Sequence, residues 1–191
     1  MHCSPRFSRS SLATCMVALL TIACSKGDSG ASSTDTAAAT AGDASASSET
    51  GASTGSVHLE VGSGPHAGTY DAPMTSGGCS YGLAGEKSWG NQYSIDSKDP
   101  KQFSSLQLIV PDTKAAAGGT STFELIAAFG PLFGDGATRY DVNTTNGSKK
   151  GSGKVTVEDR GTSGKVTFDV KTADGVPLKG TIDCTTVMRT G

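Results

Sequence analysis

From Lys154 onward the chain alternates apolar and polar residues with a period of two, which fits strands and not helices. Lys154-Val155-Thr156-Val157 is answered by Lys165-Val166-Thr167-Phe168-Asp169-Val170, with Glu158 to Gly164 turning between them. Ala173-Asp174-Gly175 then turns the chain into Leu178-Lys179-Gly180-Thr181-Ile182-Asp183-Cys184. In each run one face is apolar and the other carries Lys, Thr and Asp. The pattern predicts a three-strand antiparallel meander with one wet face.

The same reading extends upstream. Val57, Leu59 and Val61 alternate with His58 and Glu60, and Cys79, Tyr81 and Leu83 are predicted to share a face. Phe103 to Val110 and Thr122 to Phe129 are apolar on both sides, which predicts a central position in a sheet. Tyr140 and Val142 mark a further short strand, and Ala115 to Ala117 suit a single helical turn. Residues 57–191 are thus expected to form one all-β domain of about eight to ten short antiparallel strands. A sandwich is preferred, with a small barrel as the alternative.

The first 56 residues are of another kind. Arg6 and Arg9 precede an apolar run from Leu12 to Ala23, and the first acid is Asp28. Spanning a bilayer takes about 20 apolar residues, so this run is too short for a permanent anchor and reads as a cleaved signal peptide, residues 1–23. From Ser25 to Ser56 the chain is Ser, Thr, Ala, Gly, Asp and Glu with one Lys, and has no large apolar side chain. Nothing there offsets the entropy of ordering, so the segment reads as a disordered linker with an r.m.s. span of ~30 Å.

Leu20-Thr21-Ile22-Ala23-Cys24 resembles the lipobox of bacterial lipoproteins, with the Leu displaced by one position from its usual place. The resemblance covers only the first two dozen residues. It implies diacylglyceration of the Cys24 thiol, cleavage before it, and a membrane partner through the lipid. Ser25 follows the cysteine, and the absence of Asp there is compatible with the outer membrane or cell surface. The alternative is ordinary secretion into the periplasm or beyond, since Thr21-Ile22-Ala23 also passes as a small-residue cleavage site. The general layout is similar to small mycobacterial lipoprotein antigens, without a shared motif through the domain.

Cys3 and Cys15 fall within the signal, and Cys24 takes the lipid, which leaves Cys79 and Cys184. Both sit on apolar-facing strand positions of a chain bound for an oxidising compartment, so they are expected to pair as a structural disulfide.

Most function classes find little support. Within residues 57–191, thirteen Lys or Arg face fourteen Asp or Glu, a balance that argues against nucleic acid as a partner. Gly78-Cys79-Ser80-Tyr81-Gly82 fits the serine-hydrolase elbow pattern, yet His2, His58 and His66 all precede the serine and no helix follows it. Gly151-Ser152-Gly153-Lys154 lacks the spacing of a phosphate loop. Asp135, Asp141 and Asn143 lie in turn-forming surroundings that explain them without calcium. Tyr81, Trp89 and Tyr93 gather in a Gly- and Asn-containing segment and are the candidate ligand-binding residues, since loop aromatics stack on sugar rings. Lys149, Lys150, Lys154 and Lys165 could touch acidic lipid or polysaccharide, or, more commonly for such lysines, guard a strand edge. The expectation is a non-enzymatic envelope protein without metal or cofactor, supporting or binding an envelope protein or polysaccharide. A carbohydrate or small-ligand module is the alternative, with an envelope hydrolase third.

Overall fold

The computed structural model describes residues 53–190 apart from 134, 146 and 148. The signal peptide, Cys24 and the linker as far as residue 52 lie outside the described residues.

The alternating pattern resolves into eleven strands and one helical turn. These are β1 (Gly55–Val61), β2 (Gly68–Pro73), β3 (Gly77–Tyr81), β4 (Trp89–Ser94), β5 (Phe103–Val110), α1 (Thr113–Ala117), β6 (Glu124–Phe129), β7 (Thr138–Asn143), β8 (Ser152–Asp159), β9 (Gly164–Lys171), β10 (Pro177–Cys184) and β11 (Val187–Arg189). A five-stranded sheet has the order β2-β1-β10-β9-β8, and a six-stranded sheet the order β11-β3-β4-β5-β6-β7. Every pairing is antiparallel except that of β11 with β3. The two sheets pack as a sandwich and no barrel closes.

The meander is present as β8, β9 and β10, with Lys154 opposite Asp169 and Asp169 opposite Lys179 on its wet face. β5 and β6 pair within the interior of the six-stranded sheet, as their apolar runs predict. β1 begins at Gly55, two residues before the expected domain start. Thr54 is already tied in, its N–H donating to Met74 O at 3.0 Å and its carbonyl accepting from Thr185 N at 2.9 Å. Leu83 departs from the expectation. It lies beyond β3 in a turn opened by Gly82 (φ 86°) and is 67% exposed, so it does not share the buried face of Cys79.

The core lies between the sheets. Val57, Leu59, Phe168, Leu178 and Ile182 meet Trp89, Leu106, Leu108, Leu125 and Phe129, all of them buried. Each such side chain contributes about 1.5–3 kcal/mol relative to exposure. Exposed strand edges invite pairing with other chains, and three of the four are engaged at one residue by a neighbouring loop. Thr120 exchanges both backbone hydrogen bonds with Val155 of β8, and Lys150 does so with Asn143 of β7. Val187 of β11 donates to Thr162 O at 2.9 Å.

Cys79 and Cys184 are disulfide-bonded, 105 residues apart in sequence. One sits in β3 and the other ends β10, so the bond fastens the two sheets together.

Candidate functional site

The three candidate ligand-binding aromatics do not form an accessible platform. Trp89, Asn91 and Tyr93 occupy alternate positions of β4 and all point inward, whereas Gly90, Gln92 and Ser94 lie on the other face. Trp89 is fully buried beneath β9, where a Cβ on Gly164 would stand 2.4 Å from its ring. Tyr93 is 2% exposed, its ring centroid lies 5.1 Å from that of Phe103, and its hydroxyl donates to the Phe103 carbonyl at 3.3 Å. Burial raises its phenol above the ordinary value of 10.0. Tyr81 is half-buried with the Arg189 guanidinium 4.8 Å over its ring, and Arg189 is itself held by Asp159. The segment reads as a loop only if its alternation is overlooked; Trp-Gly-Asn-Gln-Tyr-Ser is a strand with aromatic residues on its buried side.

The other candidates are also accounted for. Ser80 lies outward on β3 and its hydroxyl donates to Gly90 O at 3.4 Å. The two histidines among the described residues have partners that the sequence pattern does not reveal. His58 Nδ1 is 2.7 Å from Asp71 Oδ1. His66 is buried, stacked on Phe129 at 4.3 Å between the Tyr140 hydroxyl and the Pro100 carbonyl. Asp141 faces Lys150 at 3.8 Å, and Asn143 Oδ1 accepts from Thr145. Among the described residues no group of three or more His, Cys, Asp or Glu is arranged to hold a metal. Lys165 pairs with Asp183 at 3.6 Å.

The feature that stands out is a hollow in the outer face of the six-stranded sheet. Register builds it. One cross-strand row runs Met188, Ser80, Gly90, Ile109 over β11, β3, β4 and β5. The next row runs Gly78, Gln92, Gln107. Two glycines and a serine therefore lie side by side where neighbouring positions carry long side chains, and the sheet surface drops between them. Ile109 and the exposed Met188 form walls, and the turn between β3 and β4 brings Leu83 and Ala84 over one end. The space measures about 330 Å³, and none of its lining residues carries a charge. Its polar groups are the Gln92 and Gln107 amides, directly opposite one another, and the Ser80 hydroxyl. Such a surface gives van der Waals contact to an apolar group and hydrogen bonds at its rim.

Gly90 is the informative residue in this hollow. Glycine inside a strand weakens it, by roughly 0.5–1 kcal/mol against Ala, and often marks the close approach of another molecule. Other strand glycines have a reason within the fold. A Cβ on Gly180 would stand 2.1 Å from His58 O and 2.6 Å from Phe168, and one on Gly153 would stand 2.4 Å from Val170 Cα. At Gly90 the nearest atom is the rotatable Ser80 Oγ at 3.1 Å, then Leu108 O at 3.9 Å, and its backbone is not in the left-handed region. Conformation demands no glycine there, and the one tight neighbour is the end of a side chain that can turn aside.

Two other depressions among the described residues are lined by charge. Arg139, Asp141, Lys150 and Asp174 line one, and His58, Glu60, Asp169 and Lys179 line another. Comparisons with protein-family models, curated proteins and solved structures find no match to this chain.

Proposed function

We propose that this chain is a cell-envelope lipoprotein whose β-domain is a non-enzymatic binding module, meeting its target at the hollow around Gly90. Cys24 carries the lipid, and the Ser/Thr/Ala/Gly linker spaces the domain from the outer membrane or cell surface. The observation that carries the binding reading is the glycine that the fold does not require, set in an uncharged, partly apolar depression. The linker side supports it as well. The chain reaches β1 through Thr54, whose hydroxyl lies 3.4 Å from Gly77 O, next to the Gly78 end of the hollow. The target is neutral and presents an apolar group, since no lysine, arginine, aspartate or glutamate lines the site. A sugar ligand stacked on Trp89 and Tyr93 is not supported, because both rings are core.

Native mass spectrometry of the full chain, extracted from the membranes of its own host beside a Gly90→Val variant, tests the reading. The expected parent is a species beginning at Cys24 with acyl mass added, retaining a bound molecule that the variant loses. An unacylated mature form in the soluble fraction would replace the anchor with secretion. A bound molecule retained equally by both chains would move the site elsewhere.

A further inference from the structure

We infer that the hollow receives Phe133 of a second copy of this chain. The inference rests on the reading of the hollow as the domain's contact site and names its occupant. Three large apolar side chains stand exposed among the described residues: Leu83 at 67%, Met188 at 64% and Phe133 at 89%. The first two border the hollow. The third stands in the turn between β6 and β7, following Gly130 (φ 91°) and Pro131, residues that fix a turn. One domain thus presents an uncharged cavity and, apart from it, an uncharged ring.

Size agrees. A phenylmethyl group is benzene with one more carbon, and an apolar cavity of about 150 Å³ suffices to hold benzene. The hollow offers about 330 Å³. Burial of a phenyl ring between apolar walls, with amides at the rim, is the arrangement of an interface anchor.

The ring cannot come from the same copy. The β6–β7 turn follows Phe129, which pairs with Phe103 at the start of β5, whereas the hollow reaches Ile109 near that strand's other end. Six residues of strand separate those ends by about 20 Å. The contact is therefore made between copies, either reciprocally within a two-fold pair or head to tail along a row or ring. One ring in one hollow buries far less than the ~1,200 Å² of a stable complex, so domains cut from their lipid associate weakly, and it is lipidated chains sharing one micelle that keep the second copy in the mass spectrum. Copies concentrated on a surface by a tether gain the effective concentration that the contact needs.

The test uses the full chain in its own host, with Phe133 replaced by photoreactive p-benzoyl-phenylalanine, which keeps an aromatic ring at the position. Irradiated membranes are expected to yield a covalent product of two copies, joined between position 133 and a peptide containing Leu83 or Ile109. Adding Gly90→Val to the photoreactive chain is expected to lower that product about tenfold. Phe133→Ser, at an exposed turn and so harmless to folding, provides a second arm. Copies carrying Phe133→Ser, mixed with copies carrying Gly90→Val, are expected to form pairs joined by a single contact and nothing larger, because each supplies only one half of the contact. A cross-link to another protein or to lipid, or a two-copy product indifferent to Gly90→Val, overturns the inference. If Gly90→Val still strips the bound molecule in the mass spectrum while the photoproduct holds another protein, the hollow reading stands and the second copy falls. If Gly90→Val changes neither, both fall.

Discussion

The outer faces of the two sheets solve the same problem differently. On the five-stranded sheet, Glu158, Lys165 and Asp183 form one cross-strand row, and Glu60, Lys179, Asp169 and Lys154 form another, alternating in sign. Its glycine on β10, Gly180, shares the inward side of Leu178 and Ile182 and exists because Phe168 and the His58 carbonyl leave no room for a methyl group. The six-stranded sheet carries Gly90, Gln92, Gln107, Ile109 and Met188 at its hollow, with no charged residue lining it and with space where a side chain would fit, and Glu124 stands beyond it opposite Ile109. Alternating charge suits a face whose neighbour is water. A neutral recess with an unforced glycine suits a face with a molecular neighbour. The difference shows that glycines must be sorted by what surrounds the missing Cβ before any of them carries a functional argument.

Breaking the link between the sheets should have the largest effect. Cys79→Ala with Cys184→Ala releases a cross-link spanning 105 residues, and guanidinium unfolding should show a loss of about 4 kcal/mol. A loss under about 1 kcal/mol would mean that the core alone holds the two faces together.

Gly180→Ala sharpens the contrast. Its methyl group meets a backbone oxygen and a packed ring, so destabilisation of about 3 kcal/mol is expected in the same assay. A near-neutral result would erase the distinction between the two kinds of glycine.

A pH titration probes the core beneath the six-stranded sheet. Burial raises the folded-state value of Tyr93 above 10.0, and burial is also the first cause of the rise at Tyr140. The folded state therefore holds these protons more tightly than the unfolded chain. Their contribution is complete below pH 10 and is lost as pH rises through the folded values. Unfolding followed from pH 8 upward should show stability falling only above about pH 10, and Tyr93→Phe should lessen the fall. An unchanged fall in that variant would place the loss elsewhere.

Lys179→Glu breaks the charge pattern of the other sheet, placing a third acid between Glu60 and Asp169. Lys179 Nζ lies 3.0 Å from Asp169 Oδ2 at an exposed position. A small drop in melting temperature that shrinks as salt is added is expected. A drop insensitive to salt would point to packing and not charge.

The sequence makes legible whatever depends on neighbours along the chain. Val155, Val157, Val166, Phe168 and Val170 declare their strands by alternation, and the meander follows from the turns between them. The cysteine pair is legible from parity and apolar setting. The hollow is not legible, because it depends on register between distant strands. Met188 comes to lie beside Ser80 only through the parallel pairing of β11 with β3, and β11 is three residues long, too short for any periodicity. Trp89 and Tyr93 mislead for a related reason. Gly90 and Asn91 dilute the apolar signal of β4, so its aromatics look like loop residues although both face the core.

The most direct test of the central claim is the unfolding free energy of Gly90→Ala. A methyl group at that position turns the Ser80 hydroxyl away from its long hydrogen bond to the Gly90 carbonyl, and it removes the cost of a glycine within a strand. Stability equal to the parent's, or higher by about 0.5 kcal/mol, is the expected result. A loss of about 2 kcal/mol or more, comparable to that of Gly180→Ala, would show that the fold requires this glycine and would contradict the reading of the hollow as a place kept for another molecule.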